Sequence, residues 1–156
     1  MIFATVGTQL PFPRFLSALD AIAAKHGLDI FAQTCDPGAS YAHMKSAAHC
    51  DPATFDGHIK TADRIVGHAG IGTILSARKV QKPVILYPRR ASLGEHRNEH
   101  QLATVKSLEN RTGIYVAYDD EQLEALMLRD DLEPLRSDDS PARASLIGYL
   151  HDYIGA

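Results

Sequence analysis

The sequence predicts an α/β fold, a Rossmann-like and mainly parallel sheet with helices on both faces. Five short apolar runs rich in β-branched or aromatic residues recur along the chain, the segments between them carry apolar residues at three- and four-residue steps, and two of the runs lead straight into glycine-bearing turns. Strands alternating with amphipathic helices imply right-handed crossovers and a sheet covered on both sides.

The first strand is read at Ile2 to Val6, a mainly apolar run that reaches Gly7 quickly. Phe12, Phe15, Leu16, Leu19 and Ile22 share one helical face, so a helix follows and packs on the sheet. Ile30 to Gln33 is the second strand. Asp51-Pro52 reads as an N-cap followed by proline at the first helical position, with a short helix running into Ala62. Arg64 to Gly67 is the third strand, Ile71 to Val80 a helix stopped before Pro83, and Val84 to Tyr87 the fourth strand. A helix is expected over Glu95 to Leu108, a strand over Ile114 to Ala117, and a helix capped by Asp119-Asp120 through Leu128. The charged, proline-bearing stretch from Arg129 to Pro141 reads as a loop before a last helix over Ala142 to Ile154.

At 156 residues the chain has the length of one domain. Its 45% apolar and 22% charged content is that of an ordinary folded protein. A net charge of −3 with scattered Lys and Arg offers no basic face, which argues against nucleic acid and anionic lipid. Two cysteines, Cys35 and Cys50, and no charged-then-apolar leader fit two inert thiols in a reducing, cytoplasmic compartment. No apolar run approaches the roughly 18 residues of a spanning helix, so membrane contact would be borrowed from a partner.

Ligands of open parallel sheets sit beyond the carboxyl ends of the strands. Two turns there stand out: Val6-Gly7-Thr8-Gln9, and His68-Ala69-Gly70-Ile71-Gly72-Thr73. In the second, Gly70 and Gly72 would let backbone N–H groups approach an anion, Thr73 adds a hydroxyl, and the next helix presents its positive end. A diphosphate suits such a site; the same glycines also suit a tight turn alone. His68 could donate to a phosphate or bond a neighbouring carbonyl.

A third cluster runs from Tyr87-Pro88-Arg89-Arg90 to Gly94-Glu95-His96-Arg97-Asn98-Glu99-His100-Gln101. Beside a bound sugar diphosphate, Arg89 or Arg90 could pair with phosphate, while Asn98, Glu99, His100 and Gln101 suit hydroxyl recognition. The same stretch contains His-x-x-Glu-His at His96, Glu99 and His100, a zinc-hydrolase pattern if both histidines share a helical face. A catalytic zinc needs a third protein ligand, and only Glu109, Glu121 or Glu124 are at hand.

The ordered set Ile2 to Thr8, Ala62 to Thr73, Lys82-Pro83 and Asn98 to Gln101 resembles the carboxyl-terminal domain of glycosyltransferase family 28, over roughly residues 1–128. It looks closest to stand-alone members: the catalytic subunit of a split dolichol-diphosphate N-acetylglucosaminyltransferase and the small subunits of bacterial exopolysaccharide transferases. The resemblance implies the carboxyl-terminal half of a GT-B fold, a UDP-sugar donor, and inverting transfer without cofactor or essential metal. By motif, Gly7 and Thr8 would face the donor diphosphate and reaction cleft, His68 to Thr73 (His68, Ala69, Gly70, Ile71, Gly72 and Thr73) the diphosphate, and Asn98 to Gln101 the donor sugar. His68 is the candidate catalytic residue.

Family members often hold the ribose hydroxyls with a glutamate where this chain has Ser76. The resemblance further implies a membrane-anchored partner subunit that supplies the acceptor half, leaving this chain inactive alone and peripheral to the membrane. Self-association through the docking patch is a further expectation. The alternative reading is a non-catalytic enhancer of a transferase partner, for which Ser76 is the sequence signal.

Overall fold

The structure is a computed structural model and describes residues 1–136. The expected last helix over 142–154 lies outside the described residues. Six strands form one parallel sheet: β1 (Ile2–Thr5), β2 (Ile30–Gln33), β3 (Lys45–Ala47), β4 (Arg64–Gly67), β5 (Val84–Leu86) and β6 (Ile114–Val116). Four helices connect strands, α1 (Pro13–His26), α2 (Pro52–Thr61), α3 (Ile71–Val80) and α4 (His100–Leu108), and α5 (Asp120–Leu128) follows β6. The strand order is β3-β2-β1-β4-β5-β6, the doubly wound order whose direction of winding reverses between β1 and β4.

Period-two alternation explains why both faces are covered. Ile2, Ala4 and Val6 join one core with Phe15, Leu16, Leu19 and Ile22 of α1 and Leu123 and Met127 of α5. Phe3 points the other way, into a second core with Ile59 of α2, Ile74 of α3 and Val105 and Leu108 of α4. Phe15, Leu16 and Leu19 are almost wholly shielded from solvent, and each contributes roughly 1.5–3 kcal/mol of burial. Among the described residues, no helix is long and apolar enough to cross a membrane.

Local signals account for the helix ends. Asp51 accepts from the Thr54 backbone N–H at 2.7 Å and Asp119 from that of Gln122 at 2.8 Å, so α2 and α5 begin where the caps stand. The structure differs from the sequence reading in two places. β3 adds an edge strand, Lys45-Ser46-Ala47, whose polar composition carries no strand signal and which is held by pairing with β2 alone. Residues 95–99, expected to be helical, precede α4. There Glu95 accepts from the Arg90 backbone N–H, Asn98 from that of His100 and Glu99 from that of Ser92, so these side chains hold an irregular loop instead of a first helical turn.

Register places one row of residues across the carboxyl edge: Ala47, Gln33, Thr5, Gly67, Leu86 and Val116. Gly67 belongs there for steric reasons. A Cβ on it would lie 2.8 Å from the Thr5 carbonyl oxygen and 3.0 Å from the Thr73 methyl, so β4 could not sit this close to β1 and α3.

Candidate functional site

Beyond that row, where the connections leaving β1 and β4 part to opposite faces of the sheet, lies a cavity of about 430 Å³. Gly7 and Thr8 reach it from the β1–α1 loop, His68, Gly70, Ile71, Gly72, Thr73 and Ser76 from the β4–α3 turn and the first turns of α3, and Arg89 and Gln101 from the β5–α4 side.

The imidazole of His68 lines this cavity, and two glycines make room for the ring. A Cβ on Gly70 would fall 2.2 Å from His68 Cε1, and one on Gly7 would fall 2.9 Å from Nε2. Gly7 also has φ +81°, which disfavours any side chain. Gly72 has nothing within 4 Å of its missing Cβ. The two glycines of the turn therefore differ: Gly70 admits the imidazole, and Gly72 leaves the start of α3 open.

Gln101 sets the ring's protonation. Its Oε1 accepts from the backbone N–H of Ala69 at 3.2 Å and of Arg89 at 2.8 Å, which turns its NH₂ towards His68 Nδ1 at 3.1 Å. An amide N–H donates, so Nδ1 accepts and the proton of the neutral ring is on Nε2. Burial, reinforced by the positive charge of Arg89 and by His96, pushes the His68 pKa down from 6.5 to about 4. At neutral pH His68 is thus an uncharged ring whose Nε2–H is a donor at the cavity wall.

Arg89 is otherwise employed than a phosphate ligand would be. Its guanidinium donates to the carbonyls of Val6 (2.8 Å), Leu10 (2.6 Å) and Pro11 (2.7 Å) and lies 4.7 Å from the Phe12 ring centroid. The side chain is 2% exposed and braces the β1–α1 loop, contributing positive potential to the cavity and no free fork. Arg90 is turned away, donating to the Tyr118 carbonyl at 2.8 Å.

Of the expected sugar-recognition segment, only Gln101 reaches the cavity. Asn98 caps His100, Glu99 serves Ser92, and His100 is exposed at the start of α4. Ala69 is buried behind the turn, offering its N–H to Gln101. His96 lies outside the helix, so the shared helical face required by the zinc pattern does not form; among the described residues no group of three or more His, Cys, Asp or Glu stands together as a metal site.

Sequence reading missed several lining residues. Leu10, Gln33, His49, Cys50 and Phe55 all face the cavity, and so does His96, considered only as a zinc ligand; Gln9 lines it as part of the first turn already singled out. For His49, Cys50 and Phe55 the missing signal was β3, because that edge strand carries the β3–α2 connection to the carboxyl edge. The irregular 95–99 loop likewise delivers His96.

A parallel sheet of this order, with its cavity at the reversal of winding, defines a Rossmann-like domain of the type that forms the C-terminal half of GT-B glycosyltransferases. The chain belongs to the glycosyltransferase family 28 C-terminal domain family, whose model matches residues 1–146. The NMR solution structure of ALG13 is similar, with a TM-score of 0.65 at 15% identity over 99% of this chain and 96% of that one. The calicheamicin glycosyltransferase CalG4 gives a TM-score of 0.58 at 13% identity over 97% of this chain and 36% of its own. UGT89C1 of Arabidopsis thaliana, complexed with UDP-L-rhamnose, gives 0.57 at 11% identity, 99% of this chain and 38% of its own. The chain therefore spans nearly all of ALG13 but little more than a third of the two larger enzymes. At these identities the likeness is one of fold. No curated protein matches the chain.

Proposed function

We propose that the cavity binds the diphosphate of a UDP-sugar and that the chain is the donor-binding subunit of an inverting glycosyltransferase. The observation that carries this reading is the oriented Nε2–H of His68, set between Gly7 and Gly70 beside the amino-terminal end of α3. A neutral donor and a helix end favour an anion without a buried fixed charge. The bound UDP-L-rhamnose of UGT89C1 supports the class of ligand.

In such a transfer an acceptor hydroxyl attacks the anomeric carbon, the bond from that carbon to the β-phosphate oxygen breaks, and UDP leaves with the electron pair. His68 and the α3 end would stabilise the charge growing on the diphosphate. The acceptor's proton goes to a base outside this chain. A membrane-associated partner would supply that base and a polyprenyl-diphosphate or polysaccharide acceptor, and would take a hexose or N-acetylhexosamine from this half. The protein would then be cytoplasmic and peripheral to the membrane.

Calorimetric titration with UDP, UDP-GlcNAc, UDP-glucose and UDP-galactose, with and without divalent metal, tests the reading. Metal-independent UDP binding that His68→Ala weakens is expected. Absence of binding to all four, or binding indifferent to His68, would sink it. Ser76 supports the second reading, a non-catalytic enhancer, because the cavity offers the ribose only a short hydroxyl there; in that case His68→Ala would leave the activity of the assembled complex intact.

A further inference from the structure

The cavity runs along the carboxyl edge of the sheet, from His49 and Cys50 after β3, past His68 at the β1/β4 junction, to His96 before α4. His96 is unlike its neighbours there. Its Nδ1 is buried and has no hydrogen-bond partner among the described residues. A buried imidazole nitrogen left unpaired is destabilising, and native proteins rarely retain one without a use for it.

His96 also lines a second depression. A groove of about 790 Å³, walled by Leu10, Pro11, Pro13 and Leu93, meets the cavity at Leu10 and His96, the two residues common to both. Resting on the donor reading above, a diphosphate at His68 would divide the cavity into a nucleoside side and a sugar side. The transferred sugar must lie where an acceptor can reach its anomeric carbon. The His96 end opens into the groove, whereas the far end is walled by the Phe55 ring and the β3–α2 connection.

We propose that His96 is a specificity-determining residue for the transferred sugar, its Nδ1 hydrogen-bonding a hydroxyl or acetamido group of the donor's hexose at the junction of cavity and groove. Either group can donate and accept, so either ring tautomer is satisfied. The role expected of Asn98, Glu99 and His100 is thereby carried by a residue just before them, because the irregular loop turns His96 inward and commits Asn98 and Glu99 to backbone N–H groups.

The test is calorimetric titration of the wild-type chain, His96→Ala and His96→Asn with UDP and with the UDP-sugar that binds wild type best. Asn places an amide atom near the position of Nδ1. His96→Ala is expected to leave UDP affinity unchanged and to weaken the UDP-sugar by roughly tenfold, with His96→Asn recovering most of that loss. Thermal midpoints of both variants show that they fold. Equal weakening of UDP and UDP-sugar, or no weakening of either, would overturn the assignment while leaving the donor reading in place. A wild-type chain that binds no UDP would overturn both.

Discussion

The amide of Gln101 holds the imidazole of His68 at 3.1 Å while its oxygen holds two backbone N–H groups, so one side chain joins the β4–α3 turn, the end of β5 and the protonation state of the ring. The arrangement predicts a particular pH response. The folded pKa of His68 is about 4 against an ordinary 6.5, so between these values the unfolded chain binds the extra proton. Stability should be fully present above about pH 6.5 and decline as pH falls towards 4. In Gln101→Glu the carboxylate would favour the imidazolium, and the His68 resonance in an NMR titration should move at higher pH than in wild type. An unshifted titration would contradict the contact.

Gly70 and Gly72 should respond oppositely to alanine. Gly70→Ala drives a methyl into the His68 ring and is expected to destabilise by roughly 1–3 kcal/mol and to abolish UDP binding. Gly72→Ala meets nothing within 4 Å and should stabilise by up to about 1 kcal/mol. Denaturant melts of both, together with the double variant Gly70→Ala/His68→Ala, check the cause. The double variant should regain the stability that Gly70→Ala loses.

Removing the guanidinium of Arg89 strands the carbonyls of Val6, Leu10 and Pro11. Arg89→Ala should lower stability by roughly 3 kcal/mol, and Arg89→Lys should recover only part of it, since an ammonium cannot reproduce the fork. Urea unfolding measures both. A surface-like change of a few tenths of a kcal/mol would show that the loop does not depend on this brace.

Cys50 faces the cavity, and burial pushes its thiol pKa up, with Asp51 reinforcing the effect. Alkylation near neutral pH should therefore be slow and should slow further with bound UDP. Mass spectrometry on a Cys35→Ser background reads this directly. Protection absent at saturating UDP would place the nucleotide elsewhere.

The sheet was legible in the sequence because apolar runs such as Arg64 to Gly67 and helical spacings such as Phe15, Leu19 and Ile22 are local signals of non-local packing. Gly7, His68 and Gly70 were legible because turns at strand ends carry the chemistry of this fold. The rest depended on partners far along the chain. Arg89 reads as a ligand until the carbonyls of residues 6, 10 and 11 are seen around it, 79 positions away in the case of Leu10. His96 reads as part of a helical metal pattern until Asn98 and Glu99 are found bonded to backbone outside the helix. Lys45 to Ala47 has no strand propensity to read, since its pairing with β2 alone makes it a strand.

The central place of β1 in the sheet has a kinetic consequence. Its carboxyl end cannot be enclosed until β4 pairs beside it, Arg89 takes hold of the loop and Gln101 arrives behind His68. Each of those closures spans a long stretch of chain, the kind of contact that forms slowly. During synthesis, the chain must therefore emerge as far as Gln101 before the cavity is complete, and any ligand that recognises the cavity meets only chains that have passed that point.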